Sequence, residues 1–142
     1  MLLDLALALT ILLLLSAIVW PVVGPGTNNV QQAAVALDIA TVLRVDRSSA
    51  SSRGLSMATR FDLARRTVIG ATGRRIHVPG DVAMTVTTGV QCMEGAQRFA
   101  IVFAPDGTSC GGVVVLSKGM RNYSIKINWL SGMIDVVSDP KV

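Results

Sequence analysis

Apolar residues fill the chain from Leu5 to Val23, broken only by Thr10, Ser16 and Pro21. As a helix, these 19 residues would extend about 28 Å, close to the hydrocarbon thickness of a bilayer. The run is apolar on every side, which suits lipid better than an amphipathic surface position. Residues 1–24 therefore read as the transmembrane half of a long helix. Pro21, Gly24, Pro25 and Gly26 form a break, with Pro21 the expected kink. Helical periodicity resumes from Asn29 to about Arg47. Val30, Ala33, Leu37 and Ala40 form an apolar stripe there, widened by Ile39, Val42 and Leu43. Gln31, Gln32, Asp38 and Arg44 mark its expected wet side. Residues 25–47 thus continue the helix, and the serine-rich stretch 48–55 reads as a linker.

From residue 56 to 142 the period changes to that of strands. The expected strands are Ser56–Asp62, Arg66–Ile69, Arg75–Val78, Val82–Thr88, Arg98–Phe103, Val113–Lys118, Asn122–Asn128 and Ile134–Val137. Alternation is clearest at Phe99, Ile101 and Phe103 and at Tyr123, Ile125 and Ile127. Turns are expected at Pro79-Gly80, Pro105-Asp106-Gly107, Lys118-Gly119 and Ser131-Gly132. The fold class is α+β: a long N-terminal helix, then an all-antiparallel β domain with the second helical half on its sheet.

Half of the 142 residues are apolar and 15% are charged, which excludes a disordered, solvating chain. No charged residue lies between Asp4 and Asp38. Beyond Leu37, thirteen basic residues face eight acidic ones, a mild excess that permits contact with anionic partners without demanding it. A carboxylate at the edge of a membrane helix needs water or a cation. Asp4 is therefore expected either at headgroup level or paired with another subunit's terminal amine.

Two stretches carry a family pattern. The first is an apolar helix with Asp4 near its start and Pro21 seventeen residues on. The second is Ile101-Val102-Phe103-Ala104-Pro105-Asp106-Gly107-Thr108-Ser109-Cys110-Gly111-Gly112, a strand, then Tyr123-Ser124-Ile125-Lys126-Ile127-Asn128-Trp129-Leu130-Ser131-Gly132. Together they resemble the minor pseudopilin H family of bacterial type II secretion systems, with its F-x-P-D-G-S-S-x-G-G and Y-x-I-x-V-D-W-L-T-G pattern. The resemblance covers both ends of the chain, and the middle is compatible with it. It implies a pilin-like, single-pass inner-membrane protein with its β body in the periplasm, which assembles with other pseudopilins through the N-terminal helix. It also implies a leader removed by prepilin peptidase and methylation of the new first residue. This sequence departs from that pattern: it shows no leader, cleavage glycine or initial phenylalanine, and Asp4 stands where the family has glutamate. Either the start is set too late or this member is unprocessed.

The resemblance makes Asp4 a register residue for assembly. It marks Pro105, Asp106, Gly107, Gly111 and Gly112 as a motif turn, and Trp129, Leu130, Ser131 and Gly132 as a motif hairpin. In an oxidising periplasm Cys92 and Cys110 are the candidate disulfide, worth about 3 kcal/mol, with two free buried thiols the alternative. No enzyme, cofactor or metal is expected. His77 lacks the partners of a zinc site. Asp106 suits a turn better than calcium. The serines at 48–52 lack a matched base and acid. Arg65-Arg66 and Arg74-Arg75 read as solvated charges, with a phosphate-binding strip as the sharper reading. Nucleic acid is accordingly the weaker expectation as a partner. A type IV pilus subunit is the alternative to the secretion reading.

Overall fold

The computed structural model describes residues 1–19 and 27–140. The expected kink at Pro21 lies outside them. The chain divides into two compact units, Met1–Gln31 and Gln32–Val142.

The first unit contains α1, Leu2–Val19, with Asp4 in its first turn. Its side chains are exposed from Leu2 to Ala17 and apolar apart from Asp4, Thr10 and Ser16. Thr10 Oγ1 donates to Leu7 O at 2.8 Å and Ser16 Oγ to Leu13 O at 2.9 Å, so both hydroxyls are satisfied within the helix. Among the described residues no helix is long and apolar enough to cross a membrane. The 18 residues of α1 make about 27 Å, against a hydrocarbon core of about 30 Å.

The helix α2 spans Thr27–Arg53. The serine run expected as a linker is therefore its last turns. Serine is only mildly unfavourable in a helix, and Ala50, in the middle of the run, is fully buried. The helix stops at Gly54, whose φ of +65° is the left-handed terminating conformation. Within the second unit, Val35, Ala36, Ile39, Ala40, Val42 and Leu43 face the core. Three positions reverse expectation: Gln32 is fully buried, and Val30 and Leu37 are exposed. The core stripe is rotated because two polar side chains lie on it. Gln32 Nε2 donates to Leu116 O at 2.9 Å and Arg121 O at 3.1 Å. Asp46 Oδ2 accepts from Thr59 Oγ1 at 2.6 Å and from the Ala71 N–H at 2.9 Å. These bonds key one part of α2 to each sheet.

The strands are β1 (Met57–Asp62), β2 (Thr67–Ile69), β3 (Arg75–His77), β4 (Ala83–Thr88), β5 (Arg98–Phe103), β6 (Gly112–Lys118), β7 (Arg121–Ile127) and β8 (Ile134–Pro140). They form two four-stranded sheets, ordered β3-β2-β1-β5 and β4-β6-β7-β8. Every pairing is antiparallel. The eight strands agree with the expected ones to within a few residues. The largest difference is β8, which runs on to Pro140 because it pairs along the whole of β7. Phe61, Phe99, Ile101 and Phe103 of the first sheet share one core with Val86, Val114, Leu116, Ile125 and Ile134 of the second.

Candidate functional surfaces

The two motif segments, distant in sequence, meet at one end of the β body. The Ser109 N–H donates to Trp129 O at 2.8 Å, and Ser109 Oγ donates to Asn128 O at 3.1 Å. Asn128 Oδ1 accepts the N–H groups of Leu130 at 2.9 Å and Ser131 at 3.1 Å, which folds the hairpin tip back on itself. Two glycines make the approach possible. Gly111 has φ +68°, and a Cβ there would stand 2.8 Å from Trp129 Cβ. Gly132 has φ +66°, and its Cβ would overlap the Gly107 carbonyl oxygen. The spacing of Gly111 and Gly132 thus has a steric cause: two turns pack with no room for a side chain between them.

Arg47 closes this arrangement from the helix. Its Nε and Nη2 donate to Ser131 O at 3.2 and 2.9 Å. One turn earlier, Arg44 Nη2 donates to Ile134 O at 3.1 Å. Helical spacing alone puts Arg44 on the wet side of α2 and gives Arg47 no particular role. No local signal marks either, because their partners are backbone carbonyls more than eighty residues away. In the other turn, Asp106 Oδ1 accepts from Thr108 Oγ1 at 2.7 Å and from the Thr108 N–H at 3.0 Å. Those two bonds, the hydroxyl's first, hold the Asp106 carboxyl below its ordinary range. Trp129, Leu130 and Met133 remain well exposed around the tip.

The paired arginines divide. Arg66, with φ +52°, donates to Val82 O at 2.7 Å and Pro79 O at 3.3 Å, so it holds a turn. Arg74 lies 3.7 Å from Asp38 Oδ1. Arg65 and Arg75 are exposed, and the four do not form one strip. By strand register, Arg75 and Arg60 flank Ile69 on the outward face of the first sheet, where Arg60 meets Glu94 at 3.7 Å. His77 is exposed on β3, and no cluster of metal-ligating residues occurs among the described residues. At the opposite end of the second sheet, Lys118 pairs with Asp81 and holds that carboxyl below its ordinary range.

Two helical surfaces are apolar and uncovered. One is α1, on all sides. The other is the back of α2, where Ala34, Leu37, Thr41 and Val45 are exposed. At about 100° per residue they fall within roughly 80° of one another. They stand opposite the buried stripe centred on Ile39. Thr41 Oγ1 donates to Leu37 O at 2.8 Å, which spends the hydroxyl inside the helix. Asp4, in the first turn of α1, is exposed, with the Met1 amino group 3.9 Å away. Cys92 and Cys110 are joined as a disulfide with their Cα atoms 6.3 Å apart.

No family model and no curated protein matches this chain. Two solved structures do, both of the type IV minor pilin FimU of Pseudomonas aeruginosa. One, in space group P21, is 14% identical with a TM-score of 0.57, covering 82% of this chain and 94% of that one. The other, in space group P65, is 15% identical with a TM-score of 0.53, covering 77% and 93%. The chain therefore has a pilin-like fold.

Proposed function

We propose that this chain is a minor pseudopilin, a subunit that joins a pilin-like fibre of a type II secretion system through its N-terminal helix. Its work is assembly, without catalysis or cofactor. The observation that carries the reading is α1: apolar on every side, with Leu2 to Ala17 exposed. Such a helix needs lipid or other helices around it. In this reading the apolar run from Leu5 to Val23 crosses the inner membrane before assembly, and the β body faces the periplasm. Leaving lipid for the fibre exchanges one apolar environment for another. The exposed stripe Ala34, Leu37, Thr41, Val45 continues the same demand on α2, beyond the span. Asp4 then sets axial register against a neighbour's terminal amine, the cheapest partner for a carboxylate among apolar helices. If a leader precedes Met1, prepilin peptidase is a further partner.

The secretion reading is supported by the Pro105-Asp106-Gly107, Gly111-Gly112 and Trp129-Leu130-Ser131-Gly132 pattern. A type IV pilus subunit is the second reading, favoured by the likeness to FimU. Deleting the gene in its own bacterium separates them. Retention of exported proteins in the periplasm with intact surface pili supports the first. Loss of surface pili with normal secretion supports the second. An unaltered phenotype in both respects overturns both. Extraction of the intact chain from membranes by alkaline carbonate overturns the membrane step.

A further inference from the structure

We propose that the Cys92–Cys110 disulfide is a latch over a strand edge, and that β5 pairs with β5 of a second copy once the latch is open. The inference does not rest on the fibre reading. β5 is an outer strand, bonded to β1 along one side only. Its other side is covered by two short pieces of chain laid end to end. From one end, Met93 bridges Phe99 and the Glu94 N–H donates to Arg98 O at 2.9 Å. From the other, Ser109 bridges Phe103, and the Cys110 N–H donates to Val102 O at 3.3 Å. Neither piece is long enough to hold as a strand by itself. The disulfide joins them in the middle of the edge. There the Cys110 sulfur lies 4.0 Å from the carbonyl oxygens of both Ala100 and Val102. The Arg60–Glu94 ion pair at 3.7 Å adds a tether on the first piece, and the Ser109 bonds to Trp129 O and Asn128 O add one on the second.

What lies under the cover decides the occupant. Phe99-Ala100-Ile101-Val102-Phe103-Ala104 is six residues without charge, proline or glycine, rich in aromatic and β-branched side chains. That is the composition of strands that pair with their own copies. Arg98 and Pro105 stand at its two ends as breakers. An open edge of this kind is a template for another chain. Antiparallel pairing of β5 with its own copy places one twofold axis at the contact, so association closes at a dimer. Opening the latch takes a dithiol reductant. Two electrons and two protons pass to Cys92 and Cys110, each becoming a thiol, and the reductant leaves as its own disulfide.

The test compares the full chain in detergent micelles in three forms: oxidised, reduced with dithiothreitol, and Cys92→Ser/Cys110→Ser. Hydrogen exchange at residues 92–94 and 108–110 should quicken by about tenfold or more without the bond. The protein mass per particle, by analytical ultracentrifugation, should double relative to the oxidised chain. Adding Val102→Lys to the cysteine-free chain should restore the oxidised mass and leave exchange fast, because a lysine on the edge strand blocks pairing. Unchanged exchange overturns the latch. Fast exchange without a change of mass, or doubling that Val102→Lys leaves in place, overturns the strand pairing. Loss of strand circular dichroism throughout the body also overturns the proposal, since the bond then holds the fold and not one edge.

Discussion

Replacing Gly132 by alanine tests whether the two motif turns pack as described. The residue has φ +66°, where a side chain costs about 1–2 kcal/mol from backbone sterics alone. The added methyl would also overlap the Gly107 carbonyl and stand 2.9 Å from Arg47 Nε. Something must give way, and the yielding contact is the pair of guanidinium bonds to Ser131 O at 3.2 and 2.9 Å. Hydrogen bonds from a charged donor contribute about 1.5–3 kcal/mol, so the total loss should be roughly 3–4 kcal/mol. Gly119 supplies the matched control. Its φ is +59° with nothing within 4 Å of a would-be Cβ, so Gly119→Ala should lose only the backbone term. Thermal melts of the two full-length variants, followed by strand circular dichroism, should differ by roughly 8–12 °C. Equal losses in both would mean that the turns do not press together at Gly132 and that the steric account of the motif glycines is wrong.

Asp46→Ala leaves Thr59 Oγ1 and the Ala71 N–H without their buried acceptor, and should cost about 2–4 kcal/mol in denaturant unfolding. A loss under about 1 kcal/mol would mean water replaces the carboxylate there. Asp4→Ala should leave the β body folded by circular dichroism yet keep the chain out of sheared fibres; normal incorporation refutes the register role. Asp106 has a folded pKa held below its unfolded value by the two Thr108 bonds. Its contribution is therefore complete above the unfolded carboxylate range, near pH 4, and is lost as pH falls through the lower folded value. In Thr108→Val the carbon-detected titration of Asp106 should move up toward the ordinary range, and an unmoved midpoint refutes the assignment. Asp81 should likewise rise in Lys118→Gln, since the Lys118 bond is the largest cause of its depression.

The strands were legible because their cause is local. Phe99, Ile101 and Phe103 take every second position and face the core, with Gly95 before the run and Pro105 after it. The helix was harder to read, for two physical reasons. Its last turns are serines, whose weak preference is overruled once Ala50 enters the core. Its faces carry similar apolar content, so periodicity alone could not say which one the sheets would cover. Spacing alone puts Leu37 in the core and Gln32 in water. The reverse holds because Gln32 finds two carbonyls on the β6–β7 hairpin, Leu116 O and Arg121 O, that only the folded sheet creates.

The same distinction separates the motif residues from the residues that support them. Gly111 and Gly132 announce themselves in the sequence because no side chain fits where their turns press together, and Gly107 because its φ is +91°. Arg47 does not, because an arginine on a helix has many ordinary uses and its acceptor is a carbonyl oxygen that any residue at position 131 would present. Its tie to Ser131, with that of Arg44 to Ile134, fastens the exposed Trp129–Met133 tip to the helix. On the opposite side of α2 from its core stripe lie Leu37 and Val45. A load applied to α2 would therefore have a direct route to the tip through two guanidinium groups, beside the core packing and the Gln32 and Asp46 bonds that tie the helix to the sheets. Arg47→Met should free the tip, raising hydrogen exchange at residues 129–133 by about tenfold, while the exchange of β5 and β7 stays unchanged. If the strands loosen to the same degree, the arginine supports the whole body and no separate coupling from helix to tip exists.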